Sequence, residues 1–222
     1  MNFKDQFHLT KDQNRRFARK NFTKLVHTNA RFEGINTTLP QTQTIMDGLG
    51  VDGVDIDDIN TIVQIKRGWQ FITESDSKLD LTFEKKINEI VAKNDALVPG
   101  EFRTGQGGVN IGSDKDFIPE LVDSTNEDKF LNNLLIDNIS ITEKAIRLMY
   151  HNMRGQLFWD GNKRTATLVA NKLMIDNGAG LINVPLNLWS QWNKLISDFY
   201  LSNEIDELLQ WTYDYAIQGI EL

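Results

Sequence analysis

The sequence contains no cysteine and only three histidines, His8, His27 and His151. Disulfide scaffolds, thiolate-bound zinc and cysteine nucleophiles are thereby excluded, and histidine chemistry has few places to occur. No apolar run approaches the roughly 18 residues of a membrane span, and the polar start MNFKDQFHLTKDQNRR lacks the apolar stretch of a secretory signal. These absences lead to the expectation of a chain that makes no membrane contact and stays in the cytoplasm. Positive charge is also in deficit: 24 Lys and Arg stand against 31 Asp and Glu, a formal net charge of -7. That balance disfavours nucleic acid as the main partner, because phosphate backbones draw on basic surfaces. The local exception is Lys11, Arg15, Arg16, Arg19, Lys20 and Lys24, which crowd one early helix and read as its solvated face.

What is present is helical patterning. With 40% hydrophobic residues over 222 positions, the chain is long enough to bury a sizeable core, in one domain spanning 1–222. Phe22, Leu25 and Val26 fit a helix running to Glu33, with Gly34 placed as a stop. Ile62, Ile65, Trp69 and Ile72 mark a second, with Asp57 and Asp58 near its start, and Phe83, Ile87, Ile90 and Val91 a third. Pro119 suits the first turn of a fourth, carrying Leu121 and Val122 and, further on, Phe130, Leu131 and Leu134. Ile141, Ala145, Leu148, Met149 and Asn152 stack on a fifth. Ala166, Val169, Ala170, Leu173 and Met174 follow the i, i+3, i+4, i+7, i+8 pattern of an amphipathic stripe. The later aromatics, Trp189 to Tyr215, read as core anchors rather than a platform for bases. The fold class expected is all-α.

One stretch, Pro99 to Phe117, resists that reading. Glycines at 105, 107, 108 and 112 would each cost a helix interior about 1 kcal/mol relative to alanine. Extended pieces around 102–104 and 109–111 joined by a glycine-rich turn predict a small hairpin. Such a hairpin is either a surface excursion or a flap whose exposed edge pairs with an extended segment of another chain.

If the fifth helix ends near Gly155 and the sixth begins near Asn162 or Lys163, the stretch GQLFWDGNKRTATLVANKLM, Gly155 to Met174, begins with a loop feeding a helix amino terminus. Free N–H groups and the positive end of the helix dipole favour phosphate oxygens there. Gly161 would allow close backbone approach, Arg164 a two-pronged grip on phosphate, Lys163 a point charge, and Asp160 a ligand for magnesium. The alternative is a capped helix start, with Asp160 or Asn162 as N-cap and the cations facing solvent.

The segment FWDGNKRTA resembles the signature of the Fic family, HPFxxGNGR: Phe158 matches its aromatic anchor, Asp160 its magnesium-binding acid, Gly161 and Asn162 its phosphate cradle, and Arg164 its first arginine. ARFEGINTTLPQT, within the amino-terminal region 1–50, is similar to the family's inhibitory helix, whose glutamate would be Glu33. GEFRTGQ is similar to the start of its target-docking flap, which would involve Phe102, Arg103, Thr104 and Gly105 in a flap over 99–117. The resemblance implies a helical fold with a β-hairpin flap, in which ATP and Mg2+ bind the loop 156–164 and AMP passes to a Ser, Thr or Tyr hydroxyl of a target protein. Nucleotide and a protein or peptide partner are then expected, while a homo-oligomer stays open.

The chain departs from that pattern where chemistry is concerned. The family's catalytic histidine falls on Gln156, which has no useful basicity, and removing general-base help costs on the order of 10²–10⁴ in rate. His151 lies five residues upstream and about 140° around the helix, where it reads as a packed or surface histidine. Lys163 replaces a glycine, as in the related Doc toxins, which move phosphate rather than AMP. The family's second arginine, partner of the inhibitory glutamate, falls on Thr167, which leaves Glu33 without that cation. Two functions follow from the resemblance: a weakened or inactive adenylyltransferase, or a pseudoenzyme that binds nucleotide or peptide. A Doc-like phosphotransferase is a third.

Overall fold

The computed structural model describes residues 3–110 and 116–221. Among these, ten α-helices and two short antiparallel strand pairs follow in order. The helices are α1 (Lys11–Lys20), α2 (Phe22–Phe32), α3 (Leu39–Met46), α4 (Ile56–Glu74), α5 (Leu81–Val91), α6 (Ser124–Ile136), α7 (Ile141–Gly155), α8 (Asn162–Asn177), α9 (Trp189–Ser202) and α10 (Asp206–Tyr215). Strand β1 (Val109–Asn110) pairs with β2 (Asp116–Phe117), and β3 (Leu181–Ile182) with β4 (Ile217–Gln218). The all-α expectation holds. No described helix is long and apolar enough to cross a membrane.

The helix starts follow capping chemistry. Thr10 and Thr38 close capping boxes on α1 and α3, Asp80 caps α5, and Ser140 caps α7. The fourth expected helix begins later than its proline suggested. Asp123 accepts from the N–H groups of Thr125 and Asn126 and starts α6 at Ser124, so Pro119, Leu121 and Val122 lie before the helix, outside any regular element. The early basic run is likewise split between α1 and α2. Arg15 and Lys11 are drawn onto Asp76, and Lys11 also onto Asp176, so those two are not part of a purely solvated face. Arg16, Arg19, Lys20 and Lys24 are exposed as expected.

Helix α8 lies at the centre, packed against α7, α5, α4, α2 and α1. Its apolar stripe is buried, and so is the opposite face: Arg164, Thr165, Thr167, Asn171 and Lys172 are all covered. A polar residue survives there only with its partners supplied. Asn171 brackets Ile182, accepting from its N–H at 2.9 Å and donating to its carbonyl at 3.0 Å. The Lys172 ammonium donates to the Ser75 carbonyl at 2.7 Å and to Asp176 at 3.0 Å, above the Phe83 ring. The single-stripe pattern thus understated how enclosed this helix is, because the neighbours that satisfy its polar face lie far away in sequence. Trp192, Phe199, Tyr200 and Trp211 do anchor the core, whereas Tyr215 is 53% exposed.

Candidate functional site

Helix α7 ends at Gly155, and Gln156 turns the chain in a left-handed conformation, φ 46° and ψ 56°. The loop then runs to Gly161, the N-cap of α8, with φ 70° and no side-chain cap. Neither Asp160 nor Asn162 caps the helix, which corrects the capped alternative. Asp160 Oδ1 instead accepts from the Gly161 N–H at 2.5 Å. Asn162 is turned back into the loop, accepting from the Phe158 N–H at 2.8 Å and donating to the Phe158 carbonyl at 2.9 Å. The first-turn N–H groups of α8 consequently face the cleft without a side-chain acceptor from the cap.

Gly161 is required by the protein's own packing. A Cβ there would sit 2.7 Å from the Ala92 Cβ, in a left-handed conformation that disfavours any side chain. The loop is seated on α5 by Asn88, whose amide donates to the Asp160 carbonyl at 2.9 Å and to Thr165 Oγ1 at 3.0 Å. The Asn88 oxygen accepts from the Gly100 N–H at 2.9 Å. One buried side chain therefore fixes the loop, the first turn of α8 and the entry to the flap.

Arg164 is 2% exposed and surrounded by acceptors. Nη1 donates to the Val91 carbonyl at 2.5 Å and to Asp95 at 2.6 Å, and Nη2 to Asp160 at 3.1 Å. Nε lies 3.3 Å from Glu33 Oε1 but donates no hydrogen bond, so that pair is held by charge rather than direction. Burial opposes the arginine's charge, yet Glu33, Asp95 and Asp160 outweigh it and hold its pKa above the usual value. Burial raises the Glu33 carboxyl, with Arg164 opposing. Glu33 is the C-cap residue of α2, and its position is set by the preceding Phe32, stacked on Trp189 and Trp192 at 5.2 and 4.9 Å. The expectation of a Glu33 without a cation is corrected: Arg164 takes that place. Thr167 is buried and spends its hydroxyl on the Lys163 carbonyl at 2.9 Å.

Gln156 has both ends of its amide engaged. Nε2 donates to the Met153 carbonyl at 2.6 Å, and Oε1 accepts from Asn162 at 3.1 Å. His151 lies elsewhere, 2.7 Å from Glu127 and stacked on Phe130. An open cleft of about 300 Å³ brings together Glu33, Gln156, Asp160, Gly161, Asn162 and Lys163 with Phe32, Trp159 and flap residues Gly108 and Val109.

The flap pairs differently from the expected hairpin. Val109 and Asn110 pair with Phe117 and Asp116, while Phe102 bridges to Phe158 of the loop. Part of the expected second arm, Ile111, lies outside the described residues, as do positions 112–115. Phe102 packs its ring 5.2 Å from Phe158, Thr104 is exposed, and a Cβ on Gly105 would meet Trp159 at 2.9 Å. Arg103 is buried rather than outward-facing, its guanidinium directed at main-chain oxygens. Sequence reasoning also missed Asn88, Asp95 and the Val91 carbonyl, because nothing local marks them as neighbours of a loop some 70 residues away.

A family model for the Fic/DOC family matches residues 78–174, the stretch that holds the flap, the loop and most of α8. Residues 78–174 are a Fic/DOC-family domain. Glu33 and its helix precede the matched stretch. The chain is 26% identical over 199 residues to a protein named protein adenylyltransferase Fic from Drosophila yakuba, and 25% identical to that of Drosophila melanogaster. In each case the match covers 86% of this chain and 39% of the relative, so the chain spans about two-fifths of the length of those relatives. The fold is similar to that of a Fic domain containing signaling protein from Bacteroides thetaiotaomicron, with a TM-score of 0.78 and 18% identity over 93% of this chain and 87% of that one. It is similar as well to Fic-1 from C. elegans, with a TM-score of 0.76 and 20% identity over 89% of this chain and 60% of that one.

Proposed function

We propose that this Fic-domain chain binds ATP·Mg and has lost, or retains only weakly, the transfer of AMP to a hydroxyl of a target protein. The observation that carries this reading is Gln156. It stands where the family resemblance puts the catalytic histidine, its amide is bonded at one end to the last turn of α7 and at the other to Asn162, and among the described residues no histidine lines the cleft. An amide so held can neither accept a proton from an attacking hydroxyl nor swing freely towards one. The same lack of a base weighs against a Doc-like phosphotransferase.

The residues fit the nucleotide. The uncapped first turn of α8 and Lys163 would hold phosphate oxygens, and Arg164, outside the lining of the cleft, would join them only by giving up one of its present acceptors. Asp160 would hold magnesium, an ion commonly bound by one or two carboxylates plus substrate phosphates. When bound, ATP·Mg supplies the activated phosphoanhydride. Glu33, held against Arg164, would compete for that cation and so regulate binding. The flap would dock the peptide partner through what it exposes, such as Thr104, while Phe102 and Arg103 hold it against the loop.

Calorimetry tests the binding. Wild type should bind ATP·Mg with a Kd between micromolar and millimolar, about 4–8 kcal/mol, and Arg164→Ala should bind more weakly; no heat from either at millimolar nucleotide would sink the idea. Labelled ATP in a lysate tests the chemistry. Wild type should label little and Gln156→His more, whereas strong wild-type labelling that vanishes in Asp160→Ala would show transfer proceeding without the histidine.

A further inference from the structure

Arg103 sits where the flap meets the loop. Its N–H donates to the Leu157 carbonyl at 3.0 Å, beside the Phe102–Phe158 bridge. Its guanidinium donates from Nε to the Gln156 carbonyl at 2.6 Å, from Nη1 to Gly105 at 2.8 Å, and from Nη2 to the carbonyls of Gly155 (3.3 Å) and Glu120. No carboxylate is within ion-pair distance among the described residues, although the side chain is only 3% exposed. A buried cation is tolerated in that state only when its N–H groups are spent on well-aimed acceptors; burial lowers its pKa, and it stays charged.

Those acceptors are not arbitrary. The carbonyls of Gly155 and Gln156 belong to the carboxyl end of α7, where helix geometry leaves oxygens unpaired and the dipole favours a cation. Gln156 is one of two described non-glycine residues with positive φ, a conformation that persists only where its surroundings hold it. Of the remaining acceptors, Gly105 lies within the flap and Glu120 just beyond its second strand. A single planar fork thus joins the segments on either side of the β1–β2 pair to the turn from which the loop departs.

We infer that Arg103 is a positioning residue: it fixes the left-handed turn at Gln156 that aims the loop 157–164, and it makes loop and flap move as one unit. Lysine, a point charge with three donors and no planar fork, cannot reproduce that contact. The inference concerns the free protein and holds whether or not nucleotide binds.

Amide hydrogen exchange, with backbone carbon shifts of Gln156, tests it without nucleotide. Arg103→Lys should speed exchange about tenfold or more in 157–164 and in 105–110 and 116–120, leave α4 and α10 unchanged, and move the Gln156 shifts away from their left-handed values. Faster exchange in the flap alone, unchanged Gln156 shifts, or an equal rise in every helix would overturn the inference. Wild type offers a measurement that does not depend on the variant folding. The Arg103 Nε–H should be protected and should open with the same denaturant dependence as the loop amides; exchange of that proton at the solvent rate would equally refute the clamp.

Discussion

At Arg164 one guanidinium answers to three carboxylates, and the contact of each decides what a substitution does. Glu33 is the weakest, close in charge but without a hydrogen bond. Such a partly exposed pair contributes about 1 kcal/mol or less, so Glu33→Gln should tighten ATP·Mg binding by no more than about fivefold, measured by calorimetry. Arg164→Ala is a different case, since it leaves Asp95, Asp160 and Glu33 facing one another and should lower stability as well as affinity. Gly161 gives a sharper test. Alanine there meets Ala92 and must keep a positive φ, so Gly161→Ala should cost about 1–3 kcal/mol in urea denaturation.

At the scale of elements, α5 is the support of the site, and its two buried polar residues act on different neighbours. Asn88 makes three hydrogen bonds to loop, α8 and flap entry. Asn88→Ala strands those partners, and a loss of about 2–4 kcal/mol is expected, together with weaker nucleotide binding. Glu84 receives a bond from Asn152 of α7 at 3.0 Å, while its Oε1 has no partner. Burial, with Glu127 and Asp80 adding to it, pushes its carboxyl up from 4.5 to about 8. Between those values the unfolded chain has released the proton and the folded chain keeps it. The contribution of Glu84 is therefore best below the lower value and declines as pH rises, by up to ~1.4 kcal/mol per pH unit. Comparing urea midpoints at about pH 5 and about pH 8 should show wild type losing stability relative to Glu84→Gln over that interval. The helices and the loop itself were legible in the sequence because caps and 3.6-residue periodicity are local signals. The start of α6 was not, since Asp123 outcompetes Pro119 as a starting point. The partner of β1 was not either, because Phe102 finds its mate in Phe158, and no local pattern encodes that pairing.

Across the whole molecule, buried apolar residues from Phe3 to Ala216 join in one cluster with α8 at its centre, so the site is built on the most enclosed helix of the chain. Its signature residues were readable from their order alone, Asp160, Gly161, Asn162, Lys163 and Arg164 arriving together on one turn. What they touch was not, because Asp95, Asn88, Arg103 and Glu33 come from segments brought in by packing. That assembly has an electrostatic consequence. The cleft is lined by two carboxylates, Glu33 and Asp160, against one cation, Lys163, with the paired Asp95 and Arg164 behind them, in a chain already at -7. An approaching polyanion is repelled unless a divalent ion travels with it. Association of metal-free ATP should accordingly quicken as salt rises from about 10 to about 150 mM, where the screening length contracts from roughly 30 to 8 Å. The magnesium complex should bind faster and respond less, so that stopped-flow rates at several ionic strengths would read the sign of the field at the mouth of the cleft.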